Sequence, residues 1–183
     1  MKNTHSGRRD KKSSQYGWVA TVFCIAVTLS AALSLASESL MAGAGMAVAL
    51  LILALFIGLG ILFDIIGVAV TAADEKPFHS MAAHREKGAR EALRLLKNAS
   101  RVSSVCNDVV GDICGIVSGT TAAVIVTQLQ RSLNTRTVLL SVGVTALISG
   151  LTIGGKALGK TFAIRKSTQV VFLAGRFLHL FHR

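Results

Sequence analysis

The run "SLMAGAGMAVALLILALFIGLGILF", from Ser39 to Phe63, decides the fold class because its 25 residues carry no charge. A helix needs about 20 predominantly apolar residues to cross the hydrocarbon core of a bilayer. An apolar stretch this long, without a polar face, is not typical of a surface helix in a soluble domain. The run therefore predicts a membrane-spanning helix.

Three further uncharged stretches surround this run. They have 25 residues at 13–37, 18 residues at 113–130 and 19 residues at 137–155, and the second of these extends back through two aspartates to residue 102. The chain is therefore predicted to be an all-α membrane protein with four transmembrane helices. The predicted spans are residues 17–37, 44–72, 102–129 and 137–155.

Composition supports this class and excludes others. The chain is 51% hydrophobic and only 16% charged, which is too apolar for an ordinary soluble domain. Its net charge of +11 lies in short blocks, and aromatic residues make up 5% of the sequence, so we expect no nucleic-acid partner. No nucleophile, base and orienting acid share one membrane face with usable spacing, so an enzyme is not expected.

The basic residues predict the orientation in the membrane. Lysine and arginine number five in residues 1–16, seven in 74–101 and six from Lys156 onward, against two in 130–136. Because basic connections stay in the cytosol, we expect both termini to be cytosolic, with residues 1–16 as a basic tail, in a plasma-membrane protein. Cleavage of the first helix as a signal peptide stays open, although its apolar run is longer than such peptides have.

Two connecting segments are predicted to be amphipathic juxtamembrane helices, residues 77–98 and 157–181. In the first segment the basic residues lie largely opposite one apolar face. Such a helix either lies on the membrane surface or packs onto a protein partner, and the sequence leaves both possibilities open. The residues on that apolar face are Phe78, Met81, Ala82, Ala89, Leu93 and Leu96.

A polar cluster interrupts the third span. In "NDVVGDI", residues 107–113, Asp108 and Asp112 form a stripe one helical turn apart. Beside it, Gly111, Gly115 and Gly119 recur every four residues, a spacing that favours close helix packing in lipid. An ionisable group at bilayer depth costs roughly 2.5–3.5 kcal/mol and requires a function or a partner.

Two explanations of these acids remain open at the level of residue chemistry. Oxygen-rich surroundings suit a hard cation such as Mg²⁺. Alternatively, Lys156 forms a buried ion pair with Asp64 or Asp108, which neutralises the charge without a metal.

The order of motifs resembles the transmembrane domain of the CNNM/CorC family of magnesium transporters. The similarity runs from about Leu51 to Phe181 and is carried by "GAREALRLLKN", "NDVVGDI" and the closing "GGKALGKTFAIRKSTQVVFLAGRFLHLF". The resemblance implies a domain over residues 40–183, a homodimer, and an Mg²⁺ ion bound between the spans. The resemblance also implies that the last span ends at residue 155, where a glycine turn that begins at Gly154 and Gly155 closes it.

The resemblance also assigns roles to individual residues. Asp108, Asp112, Asn107 and Asp64 occupy positions where the family binds its metal, although the family has asparagine or serine at three of them. Lys156 stands where the family has a glutamate, so we expect it to compensate charge. Family members continue into cytosolic regulatory domains, and whether a separate cytosolic regulatory protein is a partner of this chain stays open.

The sequence thus predicts transport of a divalent cation, Mg²⁺, by a carrier domain in the lipid bilayer. The alternative is a non-transporting relative that acts as a membrane scaffold or a regulatory subunit.

Overall fold

The computed structural model describes residues 6–41, 43, 45–134 and 138–181, with backbone alone for residues 6–16 and Phe181. Every regular element within these residues is helical, which confirms the all-α class. A π-helical segment, Val105–Gly111, joins α5 to α6. The helices are α1 (Ser6–Met41), α2 (Met46–Ala72), α3 (Lys76–Ala83), α4 (Ala89–Lys97), α5 (Ala99–Ser104), α6 (Asp112–Ser132), α7 (Val138–Arg165) and α8 (Ser167–Phe181).

Among the residues that the structure describes, four helical stretches are long and apolar enough to cross a membrane, as predicted. They are Gly17–Met41, Met46–Ala72, Ala99–Ser132 and Val138–Arg165. The third of these consists of α5, the π-helical segment and α6, and is called the third span below. The predicted basic tail, residues 1–16, is helical from Ser6 onward, because α1 begins there. Residues 1–5 of this tail lie outside the described residues.

Contacts between the first and third spans show that these two helices run parallel. The guanidinium of Arg101 lies 5.1 Å from the centre of the Trp18 ring, a cation–π arrangement. About twenty residues further along both helices, the hydroxyls of Ser37 and Thr121 lie 3.5 Å apart and are buried. Parallel first and third spans are what an alternating up-and-down bundle requires.

The last span does not end at its glycines, and the predicted glycine turn there is wrong. α7 runs through Gly155 and Gly159 without interruption to Arg165. These glycines instead allow close approach to α2: a Cβ on Gly155 would lie 2.5 Å from Ile61 Cδ1, and one on Gly159 would lie 3.0 Å from Ile65 Cγ1. The small residues therefore serve helix packing in the bilayer rather than chain reversal.

The first juxtamembrane segment is two helices rather than the single helix predicted over 77–98. α3 and α4 are separated by a turn in which Arg85 and Gly88 have positive φ angles of 57° and 92°. Gly88 is also required for packing, since a Cβ there would lie 2.6 Å from the backbone nitrogen of Arg176 in α8. Both the left-handed conformation and this contact favour glycine.

The apolar face of α4 packs against the protein. Ala89, Ala92 and Leu96 are buried, and the last two belong to a core cluster with Phe78 of α3 and Val171 of α8. The predicted apolar face of α4 therefore packs against helix α8 of the same chain.

Candidate functional site

The candidate site is centred on Asp64, a carboxylate in the membrane-spanning part of α2. Asp64 is 4% exposed, and its Oδ2 lies 3.3 Å from Nζ of Lys156 on α7. The ammonium compensates a charge that would otherwise be costly at this depth. Of the two pairings considered for Lys156, the one with Asp64 is therefore present.

The third span closes over this pair at Gly111, the last residue of the π-helical segment. A Cβ on Gly111 would lie 2.9 Å from Asp64 Oδ1 and 3.7 Å from Lys156 Nζ. Gly111 thus has the close-packing role that its spacing predicted. Gly115 and Gly119 are exposed with no atom within 4 Å of an added Cβ, so they do not bring helices together within one chain.

One helical turn away, a second polar layer is formed by Asn107 and Gly67. Nδ2 of Asn107 donates a hydrogen bond to Ser103 Oγ at 3.2 Å. Its Oδ1 is buried and accepts no hydrogen bond from the residues that the structure describes. A Cβ on Gly67 would collide with this amide, at 2.8 Å from Asn107 Cγ, so the glycine makes room for it.

The two layers are stacked along the same pair of helices. Gly67 follows Asp64 by three residues on α2, and Gly111 follows Asn107 by four residues on the third span, so the layers are about 5 Å apart. They meet where the third span is π-helical, a rare geometry that recurs at functional sites. Buried carboxylate and amide oxygens one turn apart are the donor types that a hard cation prefers.

The other two predicted ligands, Asp108 and Asp112, lie outside this cluster. Both side chains are exposed, whereas the adjacent Val109 and Ile113 are each only 3% exposed and pack into the core. Since adjacent side chains on a helix point in different directions, burial of the valine and the isoleucine turns the aspartates outward. Among the described residues, no three His, Cys, Asp or Glu side chains form a group that could hold a metal. The predicted gathering of Asp64, Asp108 and Asp112 is therefore wrong for a single chain.

No sequence pattern predicted a contact between α1 and the third span, yet α1 covers one face of that span. Val22, Ala26, Leu29 and Leu33 of α1 are packed against the core cluster that contains Val109 and Ile113. The buried Ser37–Thr121 contact lies further along the same interface. An isolated serine and threonine in two apolar spans carried no signal that would have paired them.

At the juxtamembrane end, Glu91 of α4 and His179 of α8 join the two helices. His179 Nδ1 lies 3.0 Å from Glu91 Oε1. The hydrogen bond from His179 lowers the pKa of the Glu91 carboxyl. This pair lies outside the membrane spans and is no part of the candidate ion site.

Comparison with known proteins agrees with this architecture. A family model described as the cyclin M transmembrane N-terminal domain, CNNM, matches residues 50–183, which include α3 to α8, most of α2, and all residues of the candidate site. Comparisons with curated proteins and with solved structures gave no match. The match begins at residue 50 and does not include α1. Because the family model covers well over half of the sequence, the chain belongs to the CNNM transmembrane-domain family.

Proposed function

We propose that this protein transports a divalent cation, Mg²⁺, across the plasma membrane, with both termini in the cytosol. The CNNM domain is the signature of a membrane-associated cation-transport family, which supports the class of function. One observation supports the site: a buried, unpartnered amide oxygen of Asn107 lies one helical turn from the buried carboxylate of Asp64. A buried acceptor without a partner is costly, and a passing cation satisfies it.

Lys156 has a defined part in this proposal. Its ammonium neutralises Asp64 when no metal is present, so the site is never an isolated buried negative charge. A divalent cation that binds Asp64 displaces the ammonium, because both cannot occupy the same side of one carboxylate at low cost. Lys156 thus competes with the transported ion and favours its release.

Asp108 and Asp112 support a homodimer. Asp112 lies eleven residues beyond Arg101, or about 16 Å along a helix, and the hydrocarbon core is about 30 Å thick. Facing lipid near mid-membrane costs roughly 2.5–3.5 kcal/mol per carboxylate. The exposed face also contains Gly115 and Gly119, whose spacing suits close packing of helices. We propose that a second copy covers this face and that the aspartates attract the cation at the interface.

Flux into liposomes tests the transport proposal. The purified chain is reconstituted around a trapped Mg²⁺-sensitive dye, and the initial rate is compared with Asp64→Asn and Asn107→Ala. We expect flux above protein-free liposomes for the parent and a loss of at least tenfold for Asp64→Asn. Asp74→Asn is the matched control, since Asp74 is exposed and lies outside the spans. Its Oδ1 accepts a hydrogen bond from the backbone nitrogen of Lys76, and the side-chain oxygen of asparagine accepts the same bond. A parent without flux would refute the carrier.

The Asp64–Lys156 pair also favours a second candidate, a non-transporting scaffold or regulatory subunit. In that case the pair is a permanent structural contact and no metal enters. The variant Lys156→Gln separates the candidates. A carrier freed of its internal competitor shows Mg²⁺ flux at lower Mg²⁺ concentration, whereas a scaffold shows no flux for the parent or for this variant.

A further inference from the structure

Helix α1 packs along the third span with one continuous face. The half-buried residues of this face are spaced three or four apart and pack against the core cluster to which the third span contributes; they are Val22, Ala26, Leu29 and Leu33. Phe23 and Ile25, which lie between them, are 68% and 51% exposed. α1 packs mainly against the third span and only slightly against α2. The third span is therefore the principal partner of α1.

The polar contacts of α1 lie on both sides of the π-helical segment. Arg101, whose guanidinium lies over the Trp18 ring, belongs to α5, before that segment. Thr121, whose hydroxyl lies 3.5 Å from that of Ser37, belongs to α6, after it. One uninterrupted helix, α1, thus contacts both α-helical parts of the third span.

The number of residues between these contacts differs between the two helices. Trp18 and Ser37 are nineteen residues apart on α1, whereas Arg101 and Thr121 are twenty residues apart on the third span. Two parallel α-helices would use equal numbers of residues, because each residue advances both helices by about 1.5 Å. A π-helical turn closes its hydrogen bonds over five residues instead of four and so takes up an additional residue. The π-helical form of the third span therefore matches its contacts to those of α1.

A change of this segment to α-helix would affect the candidate site. One additional residue in α-helical form turns everything that follows it by about 100°. Gly111, at the end of the segment, would turn away from Asp64, and Thr121 would leave Ser37. Since π-helical turns are rare, tertiary contacts must favour this one over the α-helical form.

We propose that α1 supplies those contacts: it holds residues 105–111 in π-helical form and thereby keeps Asn107 against Gly67 and Gly111 against Asp64. Ala26 and Ser37 are then positioning residues for the candidate site, although neither lies in it. The proposal concerns the geometry of the site and does not depend on cation transport.

A disulfide between α2 and α6 reports the orientation of α6. A Cβ on Gly60 of α2 would lie 3.2 Å from Cβ of Cys114, close to the roughly 3.5–4.5 Å that a disulfide requires. The full-length chain therefore carries Gly60→Cys, with Cys24→Ala and Cys106→Ala to remove the other thiols. It is oxidised in lipid nanodiscs with copper phenanthroline in air, and the disulfide is quantified by mass spectrometry after digestion.

Two variants that displace α1 test the proposal with this reporter. Ala26→Phe and Ser37→Phe each place a large side chain on the packed face of α1 and should lower the disulfide yield about fivefold or more. Ile25→Phe and Ala36→Phe are the matched controls, since both positions are exposed, and their yields should equal that of the reporter chain. Unchanged yields in both Ala26→Phe and Ser37→Phe would overturn the proposal.

A second disulfide separates a turn of α6 from a general loss of structure. Ile65→Cys on α2 and Gly159→Cys on α7 form it in a chain with all three native cysteines replaced by alanine, because a Cβ on Gly159 would lie 3.0 Å from Ile65 Cγ1. The α2–α7 disulfide should form equally with and without Ala26→Phe. Its loss together with the α2–α6 disulfide would also overturn the proposal, because α1 would then support the whole bundle rather than the π-helical form of one span.

Discussion

Two groups of acids lie in the membrane-spanning helices of this protein, and they differ in burial and in charge compensation. Asp64 is buried, and an ammonium 3.3 Å away in the same chain compensates its charge. Asp108 and Asp112 are exposed on the third span, and no lysine, arginine or histidine among the described residues forms an ion pair with them. The difference shows that the inner acid belongs to the folding of one chain, whereas the outer acids require compensation from outside it.

The largest effect should come from Lys156→Met, which leaves Asp64 buried without its partner. Breaking a buried ion pair by removing one member costs about 3–5 kcal/mol of unfolding free energy. Denaturant unfolding in detergent micelles measures this loss. Lys160→Met, four residues further along α7 at an exposed position, is the matched control and should have little effect.

The double variant Asp64→Asn/Lys156→Met distinguishes pairing from packing in this prediction. With both charges removed, most of the loss should be recovered, since no uncompensated charge remains. A double variant as unstable as Lys156→Met alone would show that the loss does not come from an uncompensated charge on Asp64.

The second largest effect should come from Gly67→Ala, which tests the Asn107 layer of the inner site. The added methyl group collides with the Asn107 amide and displaces it, and such overpacking costs about 1–3 kcal/mol. Gly58→Ala on the same helix has no atom within 4 Å and should be neutral or slightly stabilising. Equal stability of the two variants would mean that Asn107 moves aside freely and is not held at the site.

The sequence predicted the fold class well and the site only in part, for identifiable reasons. Uncharged runs of about 20 residues predict spans directly, because a bilayer tolerates few other patterns. The predicted turn at Gly154–Gly155 was wrong because glycine is typical both of turns and of close contacts between helices. Here the contact of Gly155 with Ile61 of α2, which the sequence does not reveal, accounts for the glycine. The predicted grouping of the acids failed because a π-helical segment changes the helix periodicity, so which face Asp108 occupies cannot be read from spacing alone.

A second ion pair, Glu91 with His179, shows how the same chemistry behaves outside the membrane. His179 is 42% exposed on its side chain, so the pair is screened by water, and His179→Ala should cost less than about 1 kcal/mol. The hydrogen bond lowers the pKa of Glu91 below its ordinary value of 4.5. A lowered carboxyl pKa stabilises the fold above pH 4.5, and this contribution is lost as the pH falls through the lower, folded-state pKa.

The unfolding free energies of parent and His179→Ala, measured from pH 7 to pH 3, should therefore converge below pH 4.5. His79→Ala is the matched control, because His79 and Glu75 are 3.8 Å apart with side chains 60% and 50% exposed, and it should show no difference at any pH. A difference for His179→Ala that persists at pH 3 would attribute the effect to packing of the ring.

The smallest effect on stability should come from the outer acids themselves. In Asp108→Asn/Asp112→Asn, the unfolding free energy of the chain in Mg²⁺-free detergent should stay within about 0.5 kcal/mol of the parent, because neither side chain has a partner in the described part of the same chain. The same variant should lower Mg²⁺ flux in liposomes, since it removes the two carboxylates that are proposed to attract the cation at an interface between two copies. A clear gain in stability, with flux unchanged, would instead mean that the parent exposes these charges to the apolar phase. The outer acids would then have no compensation from outside the chain, and the contrast with the inner acid, which is compensated within it, would fail.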